Sequence, residues 1–207
     1  MPQPTKHSTA PVLPTQRTQS VRLKQTSADA FRVATQLYLA GEKIDMLHLA
    51  EKLGIGRATL YRWVGDRDKL LTEVIWSATK ASLDTIAAGI STRGFARLDA
   101  LFGQQLEFIA QAPALSAFLA HEGAAGIHLL THPSGIHSRH VLAGVELVNA
   151  EVNAGHYRSP IDPETLIESV VGLSEHFLYA DVLGGFRPHV CRARAAISLL
   201  LREPEHT

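Results

Sequence analysis

The sequence predicts an all-α fold from three observations. From Ser27 onward, apolar residues recur at intervals of three and four, which is the spacing of one face of an α-helix. No segment alternates apolar and polar residues as a half-buried strand does. Residues that start helices, such as Asp45 and Asp66, precede these segments, and glycines such as Gly54 follow them. The chain is therefore expected to fold as packed helices.

Each predicted helix is bounded by residues that cap or break helices. In chain order, the predicted helices cover residues 27–40, 46–53, 57–64, 67–86, 95–109, 114–122, 134–154, 162–183 and 188–201. Asp162 followed by Pro163 is a strong helix start, because proline suits the first helical position. Residues 123–133 are rich in glycine and histidine and are expected to form a loop or a weak helix.

Length and composition exclude several classes of protein. The chain has 207 residues, 45% of them hydrophobic and 19% charged, as in ordinary globular proteins. Its single cysteine, Cys191, excludes an intrachain disulfide and fits a reducing compartment. No apolar run reaches the ~18–20 residues that a membrane span needs, and the N-terminus lacks an apolar signal segment. We therefore expect a cytoplasmic protein with no membrane partner.

The charge is unevenly distributed although the formal net charge is zero. Residues 1–70 carry eleven Lys and Arg against six Asp and Glu, a net charge of +5, whereas residues 71–207 carry −5. Such an asymmetry favours a polyanion as the partner of the N-terminal part. Residues 1–24 are rich in Pro, Gln, Thr and Ser and are predicted to be a disordered basic arm carrying Arg17, Arg22 and Lys24.

Residues 45–71 carry the strongest functional signal. Two short helices are joined by a tight turn at Gly54, which can adopt the left-handed conformation that the turn needs. Ala50 is small enough to let the two helices approach closely, and Ile55 is expected to point into a small core. This arrangement predicts a helix-turn-helix, whose second helix enters the major groove of DNA. We expect a DNA-binding domain over 25–70 and a second helical domain over 71–207.

The second short helix presents residue types that suit DNA. Arginine reads guanine edges, threonine contacts a thymine methyl group or a phosphate, and tyrosine donates to phosphate. The predicted DNA-binding residues are Arg57, Ala58, Thr59, Tyr61, Arg62, Trp63, Arg67 and Lys69. Among them, base contacts are assigned to Arg57, Thr59 and Tyr61, with a phosphate-only role left open for Tyr61. Contacts to the DNA backbone are assigned to Arg62, Trp63, Arg67 and Lys69. The basic arm is either a minor-groove segment or a solvated tail.

The same residues resemble a known family. The segment LAEKLGIGRATLYRWV at 49–64, followed by DRDKLL at 66–71, is similar to the DNA-binding signature of TetR-type transcriptional regulators. The resemblance covers about residues 27–86. Gly56 stands where the family often has Ser, Ala58 where it often has Gly, and Arg67 where it usually has Lys. Trp63 and Val64 replace the family's frequent aromatic pair. Within the family, the chain is similar to the QsdR-like branch, which is linked to the control of lactone signal breakdown in quorum sensing.

The resemblance implies a mechanism and an assembly. It implies a homodimer formed by the last two helices, about 162–183 and 188–201, that binds a palindromic double-stranded DNA operator. It also implies a repressor that a small-molecule effector releases from DNA by entering a pocket formed by the fourth to eighth helices. The Leu- and Val-rich final helices independently favour a dimer.

The ligand pocket is predicted from aromatic or polar residues on helices that would enclose a cavity. These candidates are Phe102, Gln105, Phe108, Phe118, Glu122, Asn149, Phe177 and Tyr179. Polar residues on otherwise apolar helices, Gln105 among them, suggest a small amphipathic ligand such as an acyl chain with a polar lactone head.

Two alternatives are weighed against this interpretation. A metal-responsive regulator would use histidines of the 121–140 stretch, where His128 and His132 are spaced i, i+4 and His137 and His140 are spaced i, i+3. Pro133 interrupts the run and no cysteine lies near it, so neither a metal nor a cofactor is predicted.

A small hydrolase is the other alternative. It would need a nucleophile elbow, which residues 172–176, GLSEH, only partly match, and they fall in the middle of a predicted helix. We therefore expect a regulator and not an enzyme.

Overall fold

A computed structural model describes residues 25–180 and 189–204, and the regular secondary structure within these two ranges is entirely α-helical. In chain order, the helices are α1 (Ser27–Leu39), α2 (Met46–Leu53), α3 (Arg57–Val64), α4 (Arg67–Gly89), α5 (Gly94–Ala110), α6 (Pro113–Glu122), α7 (Ala124–Thr131), α8 (Ile136–Asn153), α9 (Pro163–Leu178) and α10 (Val190–Leu200). The predicted fold class is confirmed. The basic arm with Arg17, Arg22 and Lys24, and residues 181–188, lie outside the described residues.

Aspartate side chains begin three of these helices, as predicted. The first backbone N–H groups of α2, α4 and α9 donate to Asp45, Asp66 and Asp162 over 2.8 to 3.0 Å. The cap of α1 is the side chain of Thr26. Its hydroxyl accepts from the N–H of Asp29, and the Asp29 carboxylate accepts from the N–H of Thr26, so each satisfies the other.

Residues 124–131 form α7, where the sequence suggested a loop or a weak helix. Ile127 and Leu130 are buried in the core beneath it. A Cβ at Gly126 would lie only 3.1 Å from the ring of Phe118, so this glycine lets α7 approach α6 closely. Tertiary packing therefore stabilises a helix whose local sequence favours it weakly.

The helices pack around two principal hydrophobic cores. The first core is formed by α1 to α4 with α6 and α7, and the second by α5 with α8, α9 and α10. The long helix α4 contributes Leu70 and Leu71 to the first core and meets α5 and α8 through Leu83. The proposed domain boundary after residue 70 thus falls inside one continuous helix. None of the described helices is both long and apolar enough to cross a bilayer.

Helices α8 and α9 touch at Gly144. A Cβ built on this glycine would lie 2.6 Å from the Cγ2 atom of Ile167, which is itself fully buried. Because Ile167 is β-branched, its methyl group cannot swing away without changing a stiff χ1 rotamer. Glycine therefore sets the distance between the two helices here.

Candidate DNA-binding surface and ligand cavity

The turn between α2 and α3 has the geometry that the sequence predicts. Gly54 ends α2 with φ of 65°, in the left-handed region. The N–H of Ile55 then donates to the carbonyl of Ala50 over 3.1 Å, which closes the turn against a buried alanine. Leu60, with no exposed surface, anchors α3 to the first core. The opposite face of α3 is consequently presented outward.

That outer face carries four of the predicted DNA-binding residues. Arg57, Ala58, Tyr61 and Arg62 are all exposed, and residues four apart on a helix lie on the same side. We call these four residues the α3 outer face. Its two guanidinium groups and one phenol can all donate hydrogen bonds to bases or phosphates.

Thr59 and Trp63 lie at the margin of this surface. Both are half-buried, and the side chain of Trp63 packs against the first core. The indole of Trp63, which we expected to contact the DNA backbone, therefore packs against the protein core and helps to hold α3 in place.

Lys69 and Arg67, both in the first turn of α4, have different surroundings. Lys69 is exposed, and its Cδ atom lies over Gly65 at the end of α3. Arg67 is half-buried, and its Nε donates to the carbonyl of Ile44 over 2.6 Å. Its Nη1 and Nη2 donate to the two carboxylate oxygens of Glu122 over 3.1 and 2.6 Å. The arginine expected to contact the DNA backbone is thus occupied within the protein.

The same pairing explains why Glu122 does not line the predicted pocket. Its carboxylate lies at the end of α6, and the hydrogen bonds from Arg67 lower its pKa below the usual value. An Arg–carboxylate pair with two parallel hydrogen bonds is among the stronger polar contacts in proteins. The pair joins α4, next to the α3 outer face, to α6.

A cavity of about 930 Å³ lies between α1 and helices α4 to α9. Of the predicted pocket residues, Phe102, Gln105, Phe108 and Tyr179 line it. Its described lining is mostly apolar and contains no Lys, Arg or Asp. It has the size and character of a site for a small organic molecule.

The other four predicted pocket residues do not line this cavity. Phe118 packs edge-on against Tyr38 in the first core, with ring centroids 6.5 Å apart. Glu122 pairs with Arg67, Asn149 is exposed on α8, and Phe177 packs against the second core. Residue type alone did not distinguish the faces of these helices.

Most hydroxyl groups in the cavity wall donate within their own helix. Each bonds a backbone carbonyl three or four residues earlier, as seen for Thr35, Thr79, Ser82, Thr85 and Ser174. The amide nitrogen of Gln105 lies 3.1 Å from the hydroxyl oxygen of Ser82. These side chains therefore offer a ligand few free donors.

The polar lining residues that the sequence analysis did not assign to the pocket include Tyr38, His140 and Glu175. The signal for Glu175 was an acidic residue amid the apolar positions of α9. Burial raises the pKa of Glu175, and Nδ1 of His137 lies 3.0 Å from both of its carboxylate oxygens.

The two tyrosines and Glu175 line the same cavity, and both tyrosines belong to the first core. Burial raises the pKa of Tyr38 to about 12. Burial also raises the pKa of Tyr179, and the nearby Glu175 and Tyr38 add to that shift. We call Tyr38, Tyr179 and Glu175 the polar trio of the cavity.

His140, on α8, is half-buried in the cavity wall, and its Nε2 atom is enclosed by protein. Its ring packs edge-on against Trp76 with centroids 5.5 Å apart, and its Nε2 has no hydrogen-bond partner among the described residues. Burial, with a smaller effect of His137, lowers the pKa of His140 to about 4. The imidazole is therefore neutral at physiological pH.

The remaining histidines of 121–140 are not gathered around one point. The rings of His128 and His132 stack edge-on at 5.2 Å, and Nε2 of His121 lies 3.1 Å from the carbonyl oxygen of Gly41. Across residues 25–180 and 189–204, no group of three or more His, Cys, Asp or Glu side chains is placed to hold a metal ion. The metal-responsive alternative gains no donor set from this part of the chain.

Comparison with known proteins gives consistent matches. Residues 93–202 match the family model for the C-terminal domain of tetracyclin repressor-like proteins. Among solved structures, the chain is similar to the transcriptional repressor QsdR from the TetR family of R. erythropolis, with 34% identity and a TM-score of 0.78. That match covers 87% of this chain and 97% of the other.

A more distant likeness is to a TetR-family transcription regulator from Shewanella sp. PV-4, with 15% identity and a TM-score of 0.49. It covers 86% of this chain and 97% of that one. No curated protein matches the chain.

Proposed function

The chain belongs to the TetR family of transcriptional regulators, and we propose that it is a repressor released from its operator by an effector in the cavity. Members of the family bind DNA and are not enzymes. The observation that carries the proposal is the position of α1. This helix packs against α2 and α3, and it also contributes Thr35, Tyr38 and Leu39 to the cavity wall. A molecule in the cavity would therefore touch α1, the helix that packs against the proposed DNA-binding helix α3.

We assign DNA contacts to the α3 outer face, with Arg57 and Tyr61 directed at bases, and a phosphate contact to Lys69. Thr59, at the margin, is assigned a secondary contact. Arg67 and Trp63 are left out because the protein itself already uses their side chains. The excess positive charge of the N-terminal part supports this assignment, since phosphate contacts supply much of the affinity for DNA. A regulator that binds the operator would act in the cytoplasm, and we propose that location for this protein.

We further propose a homodimer through α9 and α10. Their outward sides combine small residues, Gly172 and Ala195, with Leu199, whose surface is 66% exposed. Small residues let helices of two protomers approach closely, and the leucine would be covered by the partner. A twofold dimer would read a palindrome with half-sites one helical turn, ~34–36 Å, or a multiple of it apart.

For the effector, we propose a small amphipathic molecule, with lactones and acyl compounds of the kind used in quorum signalling as the first to test. The mostly apolar lining supports the acyl part of this class.

The experiment is a fluorescence-anisotropy titration of the DNA upstream of the protein's own gene, across a range of salt concentrations and with a lactone and acyl panel. We expect tight binding that weakens steeply with salt, and at least a tenfold loss of affinity with one compound. The double variant Arg57→Ala/Arg62→Ala should abolish specific binding. Failure to bind both this DNA and any fragment from a genomic selection would overturn the proposal.

A further inference from the structure

We propose that the effector is an uncharged amphiphile whose polar head both accepts and donates hydrogen bonds, as a carboxamide does, and that Tyr38, Tyr179 and Glu175 recognise that head. The inference deepens the proposed function and rests on it for its biological meaning. One class of ligand is thereby assigned to the cavity, and three side chains are identified as the groups that bind its polar head.

The body of the ligand follows from the walls. Buried side chains such as Leu83, Leu106, Leu115 and Leu130 line the cavity and offer no polar atom. Burial of alkyl groups against such walls is favourable and makes few demands on orientation. An extended alkyl chain therefore matches most of the lining, and the polar groups decide where its head lies.

The charge of the head follows from the ionisable groups. Among the described lining residues there is no Lys or Arg to neutralise an anion, and the acid is Glu175. A ligand carboxylate would be desolvated without a cationic partner and would face a like charge. A cationic head would have to share a carboxylate that already lies 3.0 Å from His137. An uncharged head avoids the cost of burying an incompletely paired charge, and its N–H would share the Glu175 carboxylate with His137.

The hydrogen-bonding pattern of the head follows from which wall groups are available. The threonine and serine hydroxyls described above donate to their own helices, and Gln105 is paired with Ser82. By contrast, the phenol hydroxyls of Tyr38 and Tyr179 make no hydrogen bond to another described residue, and both side chains line the cavity. They can donate to a carbonyl oxygen, while the Glu175 carboxylate can accept from an N–H group.

The trio also joins two parts of the fold. Tyr38 belongs to α1, whereas Glu175 lies on α9 and Tyr179 is its C-terminal cap residue. All three side chains line one cavity, and the two tyrosines belong to the same buried cluster. A carboxamide bound among them would bridge α1 and α9 directly.

The test is isothermal titration calorimetry of the full-length protein with a matched ten-carbon series: decanamide, methyl decanoate, decanoate and decylamine. We expect decanamide to bind at least tenfold more tightly than decanoate or decylamine at pH 7.5, and about threefold to tenfold more tightly than methyl decanoate, which cannot donate. Equal or tighter binding of either ion would overturn the inference. So would the absence of binding by all neutral amides and esters from eight to twelve carbons.

Variants assign the recognition to the trio. Tyr179→Phe and Tyr38→Phe, on different elements, should each weaken decanamide binding about fivefold to tenfold. Tyr157→Phe makes the same change in a buried tyrosine whose hydroxyl donates to the carbonyl of Leu201 outside the cavity, and it should alter affinity less than twofold. Equal effects of all three variants would reject the assignment.

Glu175→Gln tests the exclusion of anions directly, because it removes the negative charge that would repel a ligand carboxylate and keeps the shape of the side chain. We expect it to narrow the preference for decanamide over decanoate from at least tenfold to less than threefold. An unchanged preference would show that Glu175 does not exclude anions.

Repeating the titrations with the protein–operator complex separates the two proposals. If decanamide binds but DNA stays bound, the ligand class stands and the release mechanism fails. If only decanoate or decylamine releases DNA, the release mechanism stands and the ligand class fails.

Discussion

Arg67 and Glu122 form a two-point ion pair that joins the first turn of α4 to the last residue of α6. The opposite end of α6 contributes Pro113, Ala114 and Leu115 to the cavity wall. Helix α6 therefore lines the cavity with its first residues and pairs with Arg67, next to α3, through its last residue. Movement of α6 in response to a ligand would be transmitted directly to Arg67.

Glu122→Gln should lower the free energy of unfolding by about 1–3 kcal/mol at pH 7, because a charge-assisted pair of this kind is lost from a half-buried site. Urea denaturation measures the change. Glu107→Gln is the matched control, since Glu107 pairs with Arg194 in a more exposed position and should cost less than about 1 kcal/mol.

The Glu122 effect should also depend on pH. Arg67 lowers the pKa of Glu122 in the folded protein, so the stabilisation is complete above the ordinary value of 4.5 and is lost as the pH falls through the lower folded value. The difference between wild type and Glu122→Gln should shrink in that acidic range. A difference that is constant from pH 7 to pH 3.5 would argue against an ion pair.

Lys69→Ala should weaken DNA binding on all sequences and reduce the slope of log K against log salt by about one unit, as expected for one lost phosphate contact. Lys80→Ala, which alters a lysine that pairs with Asp84 farther along the same helix, should leave the slope unchanged. Anisotropy titrations at several salt concentrations compare the two. Equal slopes in both variants would remove Lys69 from the interface.

These assignments show what the sequence could and could not predict. The caps at Asp45 and Asp66 and the turn at Gly54 were predictable because each depends on residues within a few positions. The pairing of Arg67 with Glu122 was not, because 55 positions separate them and only the packing of α6 brings them together. The same applies to the polar trio, whose members line one cavity only because α1 and α9 both pack around it.

Gly144→Ala should destabilise the protein by about 1–3 kcal/mol, because the new methyl group would collide with the rigid side chain of Ile167. Gly89→Ala is its control. No atom lies within 4 Å of a Cβ at this exposed helical position, so the change should be neutral or stabilising by up to about 1 kcal/mol. Thermal or urea unfolding of both variants tests the close approach of α8 and α9.

Leu199→Glu should shift the protein from dimer to monomer in sedimentation or light-scattering measurements, since it would place a charge in the proposed interface. Leu142 on α8 is similarly exposed, at 62% against 66%, and Leu142→Glu should leave the assembly intact. A dimer that survives Leu199→Glu at micromolar concentration would locate the interface elsewhere.

His140→Phe should make stability less sensitive to acid. The pKa of His140 is lowered to about 4 in the fold against an ordinary 6.5, so the unfolded chain binds the extra proton first as the pH falls. Wild-type stability should therefore decrease between about pH 6.5 and 4 more than that of the variant. His128→Phe, at an exposed site, is the control and should retain the wild-type pH dependence.

Helix α4 is continuous over 23 residues, from the cap beside α3 to the far side of the cavity. At 1.5 Å per residue it is a rod of about 35 Å. A tilt of only about 5° at the cavity end moves the other end by about 3 Å, close to the ~3.4 Å rise between successive base pairs. A displacement of this size would move α3 out of register with the bases it contacts, while every helix stays folded.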